Sequence, residues 1–300
     1  MASILSLKNI SKSFGHIKAL KEVSFDVPAG SVFGILGPNG SGKTTLLGIV
    51  MDVLSPNGGS YEWFGNAPSG KQRREIGTLL ETPNFYHYLS AQHNLEIAAA
   101  IKQRPASDIE RVLKLVRLYE RKNSKFQAYS LGMKQRLAIA SCLLGDPSVL
   151  VFDEPTNGLD PSGIAEIRQL IIELSCAGKT IILASHLLAE VEKVCTHVAI
   201  LQQGVLIKSG DVATALSQEE WMETGSADME KLHAVLMRLP GIKNIIRHGN
   251  HFQVYFNLPS PEPAWLNQHC FEQGVVLSFL QPGKKSLESA FIELTNHASN

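Results

Sequence analysis

The sequence predicts an α/β protein: a parallel sheet covered by helices on both faces, an antiparallel β segment before it, a helical insert, and a small α+β unit at the end. Three observations carry this. Val32–Leu36, Val149–Phe152 and Thr180–Ala184 are continuously apolar, as strands buried on both faces are. Helical patterning over residues 162–177, closed by Gly178, separates the last two runs. The first run leads directly into Gly37-Pro38-Asn39-Gly40-Ser41-Gly42-Lys43-Thr44-Thr45, which fits G-x-x-x-x-G-K-[ST] and precedes an apolar helix.

The order strand, glycine-rich loop, helix is what phosphate binding requires. Backbone N–H groups at a helix N-terminus curl around an anion, and glycine permits dihedrals and close approaches that a side chain blocks. Lys43 is then placed to reach the β- and γ-phosphates, and the Thr44 hydroxyl to ligate Mg²⁺. The chain is expected to bind a nucleoside triphosphate.

The remaining elements follow in order. Ile4–Leu7 and Val23–Val27 alternate as strands, with a turn at Pro28-Ala29-Gly30, and Gly58–Gly65 reads as a short strand between turns. From about residue 90 to 145 the pattern becomes helical. Ser107 and Glu110 form a capping box ahead of Ile109, Val112, Leu113 and Val116, and a second helix runs from Ser130 to about Leu144. Near Gly210 the pattern changes again. A polar stretch over Trp221–Asp228 reads as a linker. Beyond it come an amphipathic helix (Leu232, Val235, Leu236, Leu239), a hairpin turning at Gly249-Asn250, a further helix, a strand over Gly274–Leu280 and a last helix capped at Ser286. The expected domains are residues 1–218, with the insert at about 90–145, and residues 219–300.

Composition narrows the function classes. With 300 residues, 44% hydrophobic and 19% charged, the chain can build one large domain and one small one. Zero formal net charge argues against a general nucleic-acid binder. Cys142, Cys176, Cys195 and Cys270 lack C-x-x-C spacing and read as small hydrophobes in a reducing compartment. No uncharged apolar run reaches membrane-spanning length, and no signal-peptide layout opens the chain. A cytoplasmic location is expected, with any membrane work done through a partner.

Four further motifs separate the phosphate-loop classes. The strand Val149–Phe152 ends in Asp153-Glu154, which sets two carboxylates at the sheet edge where ligands collect. Asp153 can hold Mg²⁺ through water, and Glu154 can activate an attacking water as general base. Tyr129-Ser130-Leu131-Gly132-Met133-Lys134-Gln135-Arg136 opens a helix and offers a second set of free N–H groups. Thr156-Asn157-Gly158-Leu159-Asp160 follows the acidic pair, and Ser185-His186 follows a third apolar strand.

Together these motifs resemble those of the ATP-binding subunits of ABC transporters, over residues 1 to about 210 and in the same order. Against the usual Leu-Ser-Gly-Gly-Gln signature the chain keeps Ser130, Gly132 and Lys134-Gln135-Arg136, and departs at Tyr129, Leu131 and Met133. The resemblance implies a P-loop NTPase sheet with an antiparallel β subdomain and a helical insert, and ATP with Mg²⁺ as cofactors. It implies that His186 contacts the γ-phosphate and holds Glu154 and the water in line, and that Asn157, Gly158, Leu159 and Asp160 contact a partner subunit. It puts Phe14 against adenine, although a strand phenylalanine also suits core packing. Glu81 stands where the family has glutamine, and can still approach Mg²⁺. Leu80-Glu81-Thr82-Pro83-Asn84-Phe85-Tyr86 together with Tyr129–Met133 resembles the bacitracin-resistance and lantibiotic-immunity exporter branch.

In that family two subunits sandwich two ATP molecules head-to-tail, so Ser130 and Gly132 would serve the phosphate loop of the partner. The chain has a single set of motifs, which implies a homodimer driving a separate integral-membrane permease from the inner face of the membrane, in export. Phe85, Tyr86 and Tyr88 are the candidate permease contacts, because aromatics between turn residues suit an interface. The rivals are a soluble ATPase of this type without a permease, acting in regulation, repair or translation; a phosphate-loop kinase or GTPase; and an ATP sensor without turnover. A coiled-coil insertion, a second cassette and an Asn-Lys-x-Asp motif are all missing from the sequence, and Glu154 and His186 are both present.

Overall fold

The computed structural model describes residues 2–80, 84–212, 220–257, 261–284 and 291. It divides into two compact units, the first reaching Val212. Glu81, the 218/219 boundary and the expected cap at Ser286 lie outside the described residues.

The first unit opens with an antiparallel hairpin, β1 (Ser3–Phe14) and β2 (Ile17–Pro28). Leu5, Leu7, Ile10, Leu20, Val23, Phe25 and Val27 are its buried apolar positions. β3 (Val32–Leu36) then passes through the glycine-rich loop into α1 (Lys43–Val50). β4 (Gly58–Trp63) pairs with β1 and completes a sheet in the order β2-β1-β4. The fully buried Trp63 indole donates to the Val50 carbonyl at 2.8 Å, which ties this sheet to α1.

A short α2 (Gly70–Arg74) leads to β5 (Ile76–Leu79), and three helices build the insert: α3 (Ala91–Ile101), α4 (Ile109–Leu115) and α5 (Leu131–Cys142). They pack on one another and bury Leu95, Val112, Leu113 and Leu137. Ser90 caps α3 and Ser130 caps α5, each accepting from a backbone N–H three residues on. The expected cap at Ser107 is not made. Pro105 opens a 3-10 turn over Ala106–Asp108, so Ser107 lies within that turn and not at the start of α4.

β6 (Val149–Asp153), α6 (Pro161–Cys176), β7 (Thr180–Ser185), α7 (Leu188–Glu192), β8 (His197–Gln202) and β9 (Val205–Asp211) complete the unit. The large sheet has the order β5-β6-β7-β3-β8-β9, parallel except for β9. Every residue of β3, β6 and β7 is buried, which is why they read as unbroken apolar runs. One core joins the sheets through Leu5, Phe33, Leu47, Val151 and Ile182, each contributing about 1.5–3 kcal/mol by leaving water.

The second unit holds an antiparallel sheet in the order β11-β12-β10-β13, from β10 (Glu220–Ser226), β11 (Ile242–His248), β12 (His251–Phe256) and β13 (Leu277–Lys284). Phe252, Val254 and Phe256 share a core with Leu232 and Leu236 of the helix Met229–Leu236 and with Leu266 and Cys270 of the helix Pro263–Glu272. The Gly249-Asn250 turn is present, with His248 opposite His251. The last strand begins at Leu277, three residues later than expected. Trp221–Asp228 is not a linker: most of it is β10, paired on both sides. Met222 and Thr224 are buried while Trp221 and Glu223 beside them are half-buried, and that period of two is masked by the polar and glycine residues around it.

Candidate functional site

Because β3, β6 and β7 run parallel, their C-terminal ends emerge on one edge. Leu36 pairs with Ser185 and Asp153 with Ala184, so the loop after β3, the acidic pair at the end of β6 and His186 after β7 come out side by side.

The loop needs its glycines for space as well as for dihedrals. Gly37 and Gly42 have φ of +155° and +105°, and a Cβ would lie 2.2 Å from the Leu201 carbonyl oxygen at Gly37 and 2.7 Å from that of Ala19 at Gly42. α1 starts at Gly42 with no side-chain cap and no acidic residue in its first turn. Its first N–H groups and the positive end of its dipole are therefore open to an anion. Thr44 is exposed and Thr45 half-buried in that first turn, while Ser41 is buried in the loop.

Lys43 is buried (5% exposed) and folds back over the loop, donating to the carbonyls of Gly37 at 2.8 Å and Pro38 at 3.3 Å. Its Nζ is also 3.3 Å from Glu154 Oε1. The other oxygen, Glu154 Oε2, lies 2.8 Å from His186 Nδ1. Glu154 adopts a left-handed backbone with φ of 47°, and its N–H donates to the Ala184 carbonyl. That conformation costs a side-chain-bearing residue roughly 1–2 kcal/mol. It turns the carboxylate back over the loop and away from the direction of the strand. Asp153 ends β6 and is buried. Thr44 and Asp153 offer the hard oxygen donors that Mg²⁺ prefers. Among the described residues there is no cluster of three or more metal-ligating side chains, so a cation here would draw further ligands from substrate and water.

The other expected positions fall into three groups. Phe14 closes β1 with 47% of its surface exposed and Lys12 Nζ 5.1 Å above its ring, so it is not a core residue. Ser130, Leu131 and Gly132 open α5 beside the Asn157–Asp160 loop. A Cβ on Gly158 would sit 3.4 Å from Leu131 Cδ2, and Asp160 caps α6. Among the described residues, Ser130 and Gly132 make no hydrogen bond or ion pair to the phosphate loop. In the aromatic segment Phe85 is half-buried, edge-on to Phe126 at 5.2 Å, whereas Tyr86 and Tyr88 are 50% and 66% exposed. Phe85, Tyr86, Asn94, Ile97 and Ile101 line a concavity of about 350 Å³.

Sequence reasoning missed two supports. Asn94 is buried inside α3. Its Oδ1 accepts from the Tyr86 N–H at 2.8 Å and its Nδ2 donates to the Tyr86 carbonyl at 3.1 Å, so it fixes the aromatic segment. The signal was an asparagine among apolar helix positions. Tyr129, seen only as a departure from the signature, is buried and donates its hydroxyl to the Arg121 carbonyl at 2.8 Å, anchoring the turn before α5. Burial raises its pKa above the ordinary tyrosine value.

A phosphate loop whose lysine meets a carboxylate, itself held by a histidine, defines the class as a nucleoside triphosphatase. The ABC transporter family model matches residues 20–157. The bacitracin transport ATP-binding protein of Bacillus licheniformis is 34% identical over 301 residues, covering 98% of each chain. The lantibiotic transport ATP-binding protein of Streptococcus pyogenes is 37% identical over 204 residues, 68% of this chain and 89% of its own. A dimeric ATP-binding cassette solved in a post-hydrolysis state with ADP and phosphate matches with a TM-score of 0.62 and 28% identity, over 69% of this chain and 98% of its own. The chain belongs to the ATP-binding subunits of ABC transporters, in the bacitracin and lantibiotic branch, and is an ATPase. Among the described residues no helix is long and apolar enough to cross a membrane.

Proposed function

We propose that two copies of this chain sandwich two ATP molecules and that hydrolysis drives a separate membrane permease in export. The meeting of Lys43, Glu154 and His186 around one carboxylate carries this reading, since it sets a base, its orienting partner and a phosphate-binding cation in hydrogen-bond or ion-pair range. Lys43 and the N–H groups of residues 37–45 hold the phosphates. Glu154 takes the proton of the attacking water, and His186 fixes the carboxylate and contacts the γ-phosphate. Thr44 and Asp153 would hold Mg²⁺, which would supply neutralisation of the charge developing on the phosphoryl oxygens. The exposed ring of Phe14 stacks on adenine. Ser130 and Gly132 serve the phosphate loop of the second copy; that among the described residues they make no bond to the loop of their own chain supports this. Asn157–Asp160, packed beside the signature helix, contacts the same partner.

Permease contact falls to Tyr86 and Tyr88, with Phe85 holding the segment from beneath, a division supported by their exposures. The protein would then work at the inner face of the membrane through its permease. The second unit would take an accessory role in pairing or partner choice; the match to the Bacillus licheniformis protein extends across both units. The test is ATP turnover by the protein reconstituted with its permease: stimulation by the permease, lost in Glu154→Gln, is expected, and stimulation that survives this substitution would overturn the assignment of the base.

A further inference from the structure

One concavity of the first unit lies away from the phosphate loop. It holds about 720 Å³ and opens beside Ile76 at the start of β5 and Pro147 just before β6. Those are the N-terminal ends of parallel strands, whereas the phosphate loop follows the C-terminal end of β3. The volume is that of a small-molecule site.

Five cations line it: Lys71, Arg73 and Arg74 from α2, with Lys102 and Arg104 from the end of α3. Among the described residues no carboxylate lines it, and Arg73 alone of the five makes an ion pair, with Asp52. Lys102 and Arg104 donate to neutral carbonyls, those of Ser141 and Arg74. Lys71 and Arg74 are exposed, and among the described residues their side chains make no hydrogen bond or ion pair. The chain as a whole has zero formal net charge, so this excess is local. Basic residues in the last turn of α2 suit its dipole, but that does not explain two more cations arriving from α3. Like charges converging on one concavity repel, and the repulsion is relieved by an anion that several of them share. Arginine forks and lysine ammonium groups together match phosphoryl oxygens. The floor, Ile76, Cys142 and Leu144, is buried and apolar, which strengthens such contacts by excluding water.

We propose that this cleft binds a ligand through two or more phosphoryl groups, as a second anion site distinct from the ATP site. The same chemistry is offered by a free polyphosphate and by a cluster of anionic lipid headgroups, and the experiment separates them. The full chain, with its phosphate loop saturated by ADP, is titrated with tripolyphosphate at about 0.15 M salt, where exposed single charges are largely screened. In parallel it is sedimented with phosphatidylglycerol and with phosphatidylcholine vesicles. One saturable tripolyphosphate site is expected beyond ADP. In Lys71→Ala/Arg74→Ala its affinity falls about tenfold or more, with ADP affinity unchanged. The exchange Lys71→Arg/Arg74→Lys retains it. Binding to phosphatidylglycerol vesicles alone, lost in the same alanine variant, would support the site and assign the phosphoryl groups to lipid. If neither probe binds, or if the alanine variant binds as the parent does, the proposal is overturned.

Discussion

Lys43 Nζ stands 3.3 Å from Glu154 Oε1 while also donating to the Gly37 carbonyl at 2.8 Å. The cation that would face the phosphates is thus engaged with the residue proposed as the base. Phosphates arriving at the loop would compete for Lys43 and release Oε1 towards water, with Oε2 held by His186 as it is here. Glu154→Gln keeps the size and removes the basicity. Its phosphate release should fall about 10²–10⁴-fold with ATP binding retained. Turnover near the parent's would remove Glu154 from the role.

Lys43→Ala acts on a different quantity. In the proposed role its cation would contact the phosphates in the ground state as well as during transfer, so nucleotide affinity should drop, together with turnover. Equilibrium binding of a fluorescent ATP analogue reads this directly, and unchanged affinity would contradict the loop assignment.

His186 should behave as a positioning group for Glu154. His186→Ala is expected to lower kcat by about 10-fold or more with KM little changed, because the 2.8 Å contact orients the carboxylate and leaves Lys43 and the loop in place. A rise in KM at constant kcat would instead assign His186 to ground-state binding.

The parts of this site that were legible are those in which one short segment carries its own geometry. Gly37–Thr45 contains strand exit, turn and helix start, and β6 announces Asp153 and Glu154 by being buried on both faces. The Lys43–Glu154 pair was not legible, since it depends on the left-handed backbone at Glu154 and on the alignment of β6 beside β7. β10 was misread because its core positions, Met222 and Thr224, alternate with Glu223 and Gly225, so composition concealed the period. The basic cleft escaped notice for a related reason: α2 and the end of α3 are far apart in sequence, and each looks like an ordinary solvated basic turn.

Permease contact can be tested at single residues. Photocrosslinkers at Tyr86 and Tyr88, which are exposed, should capture the membrane partner, whereas one at Phe85 should react with the insert around Phe126. Asn94→Ala should weaken permease-stimulated turnover and leave basal turnover intact, as it frees the Tyr86 backbone and Asn94 makes no hydrogen bond to Lys43, Glu154 or His186 among the described residues. Capture of the partner from another face, with none from these tyrosines, would count against the assignment.

Acid should weaken the helical insert at Asp108. The Arg111 guanidinium beside it holds this carboxyl below the ordinary aspartate range, helped by the Gly145 N–H at 2.7 Å. A folded-state pKa below the unfolded one gives stability that is present above the ordinary range near pH 4 and lost as pH falls through the folded value. Asp108→Asn should cost about 1 kcal/mol at neutral pH, discounted for the exposure of Arg111, and should flatten the acid limb of the stability curve. Urea unfolding at pH 7 and pH 3 checks both. An equal deficit at the two values would show that the loss is not electrostatic.

The second unit should be dispensable for nucleotide binding. Its core, built from Met222, Leu232, Phe252, Val254 and Leu266, closes on itself, and the first unit has its own core around the two sheets. A chain ending near residue 218 is therefore expected to unfold cooperatively and to bind ATP with parental affinity, while its self-association changes. Phe14, the loop, Asp153, Glu154 and His186 all belong to the retained part. Analytical ultracentrifugation with and without ATP, beside equilibrium binding, separates the two effects. A truncated chain that stayed folded but lost ATP would place part of the nucleotide site beyond residue 218.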